Sequence, residues 1–316
     1  MAFEIGRLEA SSAHLLADLV ELIAALNIDG RSAYRPDDIA SIIEGQPDFA
    51  DNEPRDLRGS IANAWPQLEY RAGKFDAAYP FTVRASALRV RVRLSPAARV
   101  YRFLLACSRL RSFERDRRVA WAASFTKVSR EVLVQLMPGW AEVRIFDANS
   151  EDRRTYFGTD LREALVVLGR DLAASTVHET ECKAQEASGD AKIDLVAVAK
   201  WDDTASGIHS ILGQCAARET EWPSKRLEAH PIGLRAMFSL LTDPVNALFI
   251  PVLYRDTNGA WITQTPASGC LLIDRLRIIF LLSRRGRLAQ FVAEPWIHAF
   301  EQDFSRIVGG LVPAVA

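Results

Sequence analysis

The sequence predicts an α/β (α+β) protein: a mixed sheet flanked by helices, behind an N-terminal, mostly helical module. Three observations carry this. Apolar residues recur at helical spacing in the first part of the chain. Two short alternating segments rich in arginine follow. Beyond residue 125, helices alternate with apolar strand-like runs. The chain has 316 residues, 49% hydrophobic and 25% charged, with a net charge of −1. That composition excludes disordered, collagen-like and disulfide-scaffold classes, and the length suits two domains. The boundary is expected in the arginine-rich run 109–118, giving an N-terminal module over 1–118 and a second domain over 119–316.

Ala10 to Leu26 has helical spacing, with Ser11 or Ser12 placed to cap it. Pro36-Asp37-Asp38 opens a helix through Ile39 to Glu44, since proline and acids suit a first turn. Arg55 to Ala72 is expected as a helix closed by Gly73, with Pro66 able to break it. Phe81 to Arg84 and Leu88 to Leu94 read as strands, with Val90, Val92 and Leu94 on one face and Arg89, Arg91 and Arg93 on the other. Helices followed by a basic ribbon resemble a winged-helix module. Pro96 to Leu110 is a further helix. In the second half, helices are expected at Phe125 to Met137, Leu161 to Ala173, Thr180 to Glu186, Leu271 to Ser283 and Glu294 to Val308. Strands are expected at Ala141 to Phe146, Ile193 to Trp201, His209 to Cys215 and Ala247 to Tyr254, with a short one beginning at Trp261.

The neutral total hides a polarised chain. Residues 1–60 hold 12 acids against 5 bases, and residues 84–118 hold 11 arginines against two acids. Arginine's planar fork of donors suits phosphate, so Arg89, Arg91, Arg93, Arg115, Arg117 and Arg118 are candidate nucleic-acid contacts. The alternative is an arginine face paired with the acidic N-terminal segment. The apolar runs are too short for a membrane span, and no secretory signal is evident. Four dispersed cysteines give no Cys-x-x-Cys, so reduced cysteines in a cytoplasmic protein are expected. His178 and Cys182 share a possible helix face, but two ligands do not make a zinc site. Esterase, P-loop and dinucleotide fingerprints are absent.

The informative stretch is Gly189-Asp190-Ala191-Lys192-Ile193-Asp194, followed by Ile211-Leu212-Gly213-Gln214-Cys215-Ala216. Asp194 interrupts an apolar strand, where a lone carboxylate needs a cation, a metal or a donor cluster. Gln214 ends the next apolar strand. If the two strands pair, both side chains can face one point, and both offer hard oxygen ligands suited to Mg²⁺. Asp190 alone reads as a turn cap.

The order helix, strand, strand with Asp, hairpin, strand with a polar residue resembles the core of the PD-(D/E)XK nuclease superfamily. Gly-Asp-x-x-Ile-Asp and Gly-Gln-Cys look like its Mrr-like restriction endonuclease branch, across residues 120–220 and on towards 285. The resemblance implies a restriction-endonuclease-like domain and a Mg²⁺- or Mn²⁺-dependent DNA endonuclease of restriction or antiviral-defence type. It implies Asp194, Gln214 and Asp190 as metal ligands, DNA as partner, and a homodimer or other defence-system subunits as further partners. Where the family has a lysine two residues after the glutamine, this chain has Ala216. Lys225, with Asp194 and Gln214, completes the expected catalytic set, and Lys192 is the weaker choice. The first helix reads Phe125-Thr126 where the family has Phe-Glu, with Glu131, Glu179, Glu181 and Glu219 as substitutes. The usual Gly-Gly between the acids is Ala191-Lys192. These departures support the alternative of a catalytically degenerate nuclease fold acting as a DNA-binding or protein-interaction subunit.

Overall fold

The computed structural model describes residues 3–5, 12–46, 56–286 and 288–311; Ser11 and Arg55 lie outside them. In chain order the helices are α1 Ala13–Leu26, α2 Pro36–Glu44, α3 Leu57–Phe75, α4 Pro96–Ser108, α5 Arg115–Leu136, α6 Leu161–Asp171, α7 Glu179–Lys183, α8 Arg275–Ser283, α9 Leu288–Phe291 and α10 Pro295–Leu311. The strands are β1 Phe81–Arg84, β2 Ala87–Val90, β3 Glu142–Ile145, β4 Thr176–Val177, β5 Leu195–Ala199, β6 His209–Cys215, β7 Phe238–Ser239, β8 Val245–Phe249 and β9 Leu271–Ile273. Among the described residues no helix is long and apolar enough to cross a membrane.

The chain is mixed α and β, built on a five-stranded sheet of order β3-β5-β6-β8-β9. The β3–β5 and β5–β6 pairs are antiparallel, and β6–β8 and β8–β9 are parallel. Side chains alternate across a pleated strand, and the two cores follow that alternation. Leu195, Ala197 and Ile211 join one core with residues of α4, α5, α8 and α10. Val196, Val198 and Leu212 join a second core with Leu161, Leu165 and Leu168 of α6. The sheet is thus the middle of three layers.

The first core runs without a break from Phe3 and α1 to Ile307 of α10. Buried charges cross the same junction. Arg71 of α3 and Arg275 of α8 both bond Asp18 of α1, at 2.7 and 2.8 Å. Tyr79 and Tyr101 donate to the two oxygens of Glu21 at 2.7 and 2.8 Å. The expected linker 109–118 mixes buried and exposed residues. Arg109 is buried and donates to Glu219 at 2.8 Å, Phe113 is buried, and α5 begins at Arg115.

Several elements depart from expectation for identifiable reasons. The helix α3 runs through Pro66 and past Gly73 to Phe75. Ala62, whose carbonyl the proline leaves unbonded, is exposed to water. The second strand of the hairpin ends at Val90, not Leu94. Val90 pairs with Phe81, and the next partner would be Pro80, which has no N–H to give. The Arg91 N–H still donates to the Pro80 carbonyl at 2.9 Å, its side-chain Nε donates to the Phe81 carbonyl, and Val92 beyond it is fully exposed. Leu271–Ile273 is a strand, not the start of a helix, and α8 begins only after the cap Asp274. Trp261 forms a lone bridge with Arg255 rather than a strand.

Gly169 of α6 shows how closely the second core is packed. A Cβ there would sit 2.7 Å from the Phe238 ring of β7 and 2.9 Å from Val177 of β4. Gly169→Ala is therefore expected to destabilise the fold by about 1–3 kcal/mol through overpacking, although alanine favours helix. Urea denaturation checks this, and an unchanged midpoint would refute it.

Candidate metal centre

Three loops meet at one end of β3, β5 and β6. Asp194 lies immediately before β5, and its backbone is fixed from both sides. Its N–H donates to the Gly213 carbonyl at 2.9 Å, and its carbonyl accepts the Phe146 N–H at 2.7 Å. Asp147 follows β3 by two residues. Asp190 sits in the turn leading to β5, where Ala191 and Lys192 hold φ of 51° and 63°. Such left-handed backbone suits glycine. This chain adopts it with two residues that carry a Cβ.

One oxygen from each of Asp147, Asp190 and Asp194 lies within 4.8 Å of the others. Each carboxylate is oriented by a backbone N–H. Asn149 donates to Asp147 Oδ1 at 2.9 Å, Lys192 to Asp190 Oδ1 at 2.8 Å, and Cys215 to Asp194 Oδ2 at 2.6 Å. The second oxygen of each has no hydrogen bond among the described residues. Asp194 is 8% exposed. Burial pushes its carboxyl up to about 7, with Asp190 and Asp147 adding to the rise and the Cys215 N–H and Lys225 opposing it. A carboxyl so destabilised as an anion is relieved by a proton or by a cation.

Gln214, the penultimate residue of β6, is 6% exposed, and its Oε1 is buried without a partner among the described residues. An unmet buried amide oxygen is costly, and it stands at the strand end that carries Asp194. Lys225 closes a 3-10 turn over Trp222–Lys225, near enough for its charge to act on Asp194. Its Nζ is 3.8 Å from Glu228. Lys192 is exposed. Ala216 is buried in an apolar cluster with Trp222 and Leu248.

Comparison of the chain with protein-family models, with curated proteins and with solved structures found no match.

None of the glutamates expected to replace the missing helix acid joins the aspartates. Glu131 pairs with Arg130, Glu179 with Arg170 and Lys183, and Glu219 with Arg109. Glu181 is exposed on α7. The third acid is Asp147, which sequence reasoning missed. Its only signal is that it follows a short apolar strand, and that signal means little until β3 is known to pair with β5. Thr126, where the resemblance leads one to expect a glutamate, faces the Cys215 thiol from α5 together with Ser129. Arg153, also missed, is buried beside the loops of Asp147 and Asp190. A groove of about 420 Å³ lined by Gln135, Phe291 and Trp296 among others lies apart from this cluster, and none of the three aspartates lines it.

The candidate nucleic-acid arginines divide into two groups. Arg89, Arg93, Arg115 and Arg118 are exposed and make no ion pair among the described residues. Arg91 is half-buried and holds the Phe81 and Asp76 carbonyls, and Arg117 pairs with Glu114. Other arginines of the basic stretch serve the fold: Arg99 and Arg102 bind Glu301, and Arg111 binds Glu221. Among the described residues none makes an ion pair with an acid of residues 1–60, although Arg109 donates to the Ile5 carbonyl at 2.7 Å. All four cysteines are free.

Proposed function

We propose that this chain is a metal-dependent DNA endonuclease of the restriction or defence type, on a restriction-endonuclease-like core. The observation that carries the reading is the convergence of Asp147, Asp190 and Asp194 at the strand end where Gln214 leaves an amide oxygen buried and unpartnered among the described residues. Carboxylate and amide oxygens form a hard donor set that fits Mg²⁺ or Mn²⁺. The order of α5, β3, β5 with the aspartate at its head, and β6 with Gln214 near its end agrees with the PD-(D/E)XK resemblance.

Asp147, Asp190, Asp194 and Gln214 would hold the ion. When bound, such an ion lowers the pKa of a water and offsets charge on the phosphate under attack. The chain's own groups supply the rest. Backbone N–H donors fix the carboxylates before substrate arrives, and Lys225, whose charge reaches Asp194, would orient the attacking water and balance charge. The hairpin β1–β2 would act as a wing. The bridge of Tyr34, between α1 and α2, to Leu88 of β2 supports the winged-helix reading. The exposed side of α3 is ill suited to DNA, because its Arg58 is taken by Asp37 and Glu44 and it also exposes Glu69. The wing arginines Arg89 and Arg93 are better placed for phosphate, giving affinity with little sequence reading. Cutting both strands would call for two copies of the chain, and a cytoplasmic location suits a defence nuclease.

The test is cleavage of supercoiled plasmid with Mg²⁺ or Mn²⁺, wild type beside Asp194→Ala. Metal-dependent nicking that falls at least 100-fold in the variant supports the reading. The second reading, a non-cutting DNA-binding subunit, is favoured by buried Ala216 and by Thr126. It predicts no cleavage and salt-sensitive DNA binding that ignores Mg²⁺. For either reading, Arg89→Ala with Arg93→Ala should weaken DNA binding and reduce the slope of log K against log salt by about 2. An unchanged slope would place the DNA elsewhere.

A further inference from the structure

Arg153 opens a five-residue π-helical turn, Arg153–Phe157, between β3 and α6. Such turns are rare and concentrate at functional positions. The Arg153 side chain is fully buried. A buried guanidinium ordinarily meets a carboxylate, because an unpaired buried charge is costly. Arg153 has no ion pair among the described residues. Its Nη1 donates to the Phe146 carbonyl at 3.1 Å and the Gly189 carbonyl at 3.0 Å, and its Nε donates to the Gly158 carbonyl at 3.2 Å. Phe146 immediately precedes Asp147, and Gly189 immediately precedes Asp190. One side chain therefore grips the residue before each of the two loop aspartates. It is held in turn by the Phe146 ring, whose centroid lies 4.6 Å from the guanidinium carbon. The charges that act on it are those of Asp190, Asp147 and Asp160.

We infer that Arg153 is the positioning residue of the metal centre: its fork clamps the Asp147 and Asp190 loops together, and its charge offsets the clustered carboxylates until a cation joins them. This rests on the reading that the three aspartates hold a divalent ion. The role calls for arginine. Three carbonyls in different directions match a rigid planar fork, whereas a lysine keeps the charge but loses that geometry. Arg153 acts through the loops and not by touching the ion, as partners outside a metal's ligand shell commonly do.

Mn²⁺ binding to the full chain, followed by electron paramagnetic resonance, tests this with Arg153→Met, Arg153→Lys and Gly169→Ala. Arg153→Met should weaken Mn²⁺ binding about 10- to 100-fold, and Arg153→Lys should fall between it and wild type. Gly169→Ala strains the same layer away from the aspartates by overpacking, and should lower the melting temperature while keeping wild-type affinity. If Arg153→Met does not fold, Arg153→Lys carries the test. Wild-type Mn²⁺ affinity in Arg153→Lys overturns the inference. A loss in Gly169→Ala equal to that in the arginine variants also overturns it, because any destabilisation of the layer would then suffice. Wild-type protein that binds no Mn²⁺ overturns instead the metal reading beneath it.

Discussion

Asp194→Asn is expected to make the metal-free protein more stable while removing its response to Mg²⁺ or Mn²⁺. The Asp194 carboxyl titrates near 7 in the fold because it is buried beside Asp190 and Asp147, and near 4 in the unfolded chain. Below pH 4 both states are protonated and the fold bears no penalty. Between 4 and 7 the folded chain keeps a proton that the unfolded chain has released, so stability falls as pH rises. Above 7 the loss is complete, on the order of 2–4 kcal/mol. Asparagine keeps an acceptor for the Cys215 N–H and carries no charge. The variant should therefore melt several degrees higher than wild type at pH 8 in EDTA, with the difference vanishing towards pH 4. A divalent ion reverses the order by stabilising wild type alone. Because the ion competes with a proton, its affinity should drop about tenfold per pH unit below 7. Thermal melts across pH, with and without Mn²⁺, check all three points. A variant less stable than wild type at pH 8 would mean that Asp194 serves the fold and not a cation.

The largest loss of stability is expected from Arg275→Met. Arg275 is fully buried and donates to the Pro251 carbonyl at 2.8 Å, Asp18 at 2.8 Å, Ser108 at 3.1 Å and Tyr101 at 3.2 Å. Removing it leaves Asp18 and Glu21 with Arg71 as the one remaining buried cation of the network. Breaking a buried pair from one side costs about 3–5 kcal/mol, because the partner charge stays behind. Adding Asp18→Asn removes an orphaned charge and should recover part of the loss. Since Asp18 lies in α1 and Arg275 in α8, denaturation followed at both halves should show them unfolding together, at lower denaturant than wild type. A change below about 1 kcal/mol would mean that the network is solvated or dispensable.

How much of this was readable beforehand follows physical lines. The strand His209–Cys215 was legible residue by residue, because an apolar run bounded by polar segments leaves little choice. Asp194 and Gln214 were legible because polar groups in apolar strands demand partners. The length of α5 was not. Trp121, Phe125, Val128 and Val132 mark one buried face, but its first turn is almost all charge and reads as linker. Asp147 and Arg153 were out of reach for a different reason. Both matter only because β3 pairs with β5, which sets Phe146 against Asp194 and Arg153 against Gly189. That is information about register, which no local window contains. The substitutes proposed for the helix acid failed likewise, since each glutamate already has a basic partner or lies exposed on α7.

The most direct measurement is calorimetric titration of Mn²⁺ into wild type and Asp147→Asn at pH 8. The three-aspartate centre predicts binding to wild type and at least about tenfold weaker binding to the variant. Equal binding by Asp147→Asn would contradict the centre as assembled, and the absence of binding to wild type would remove it altogether.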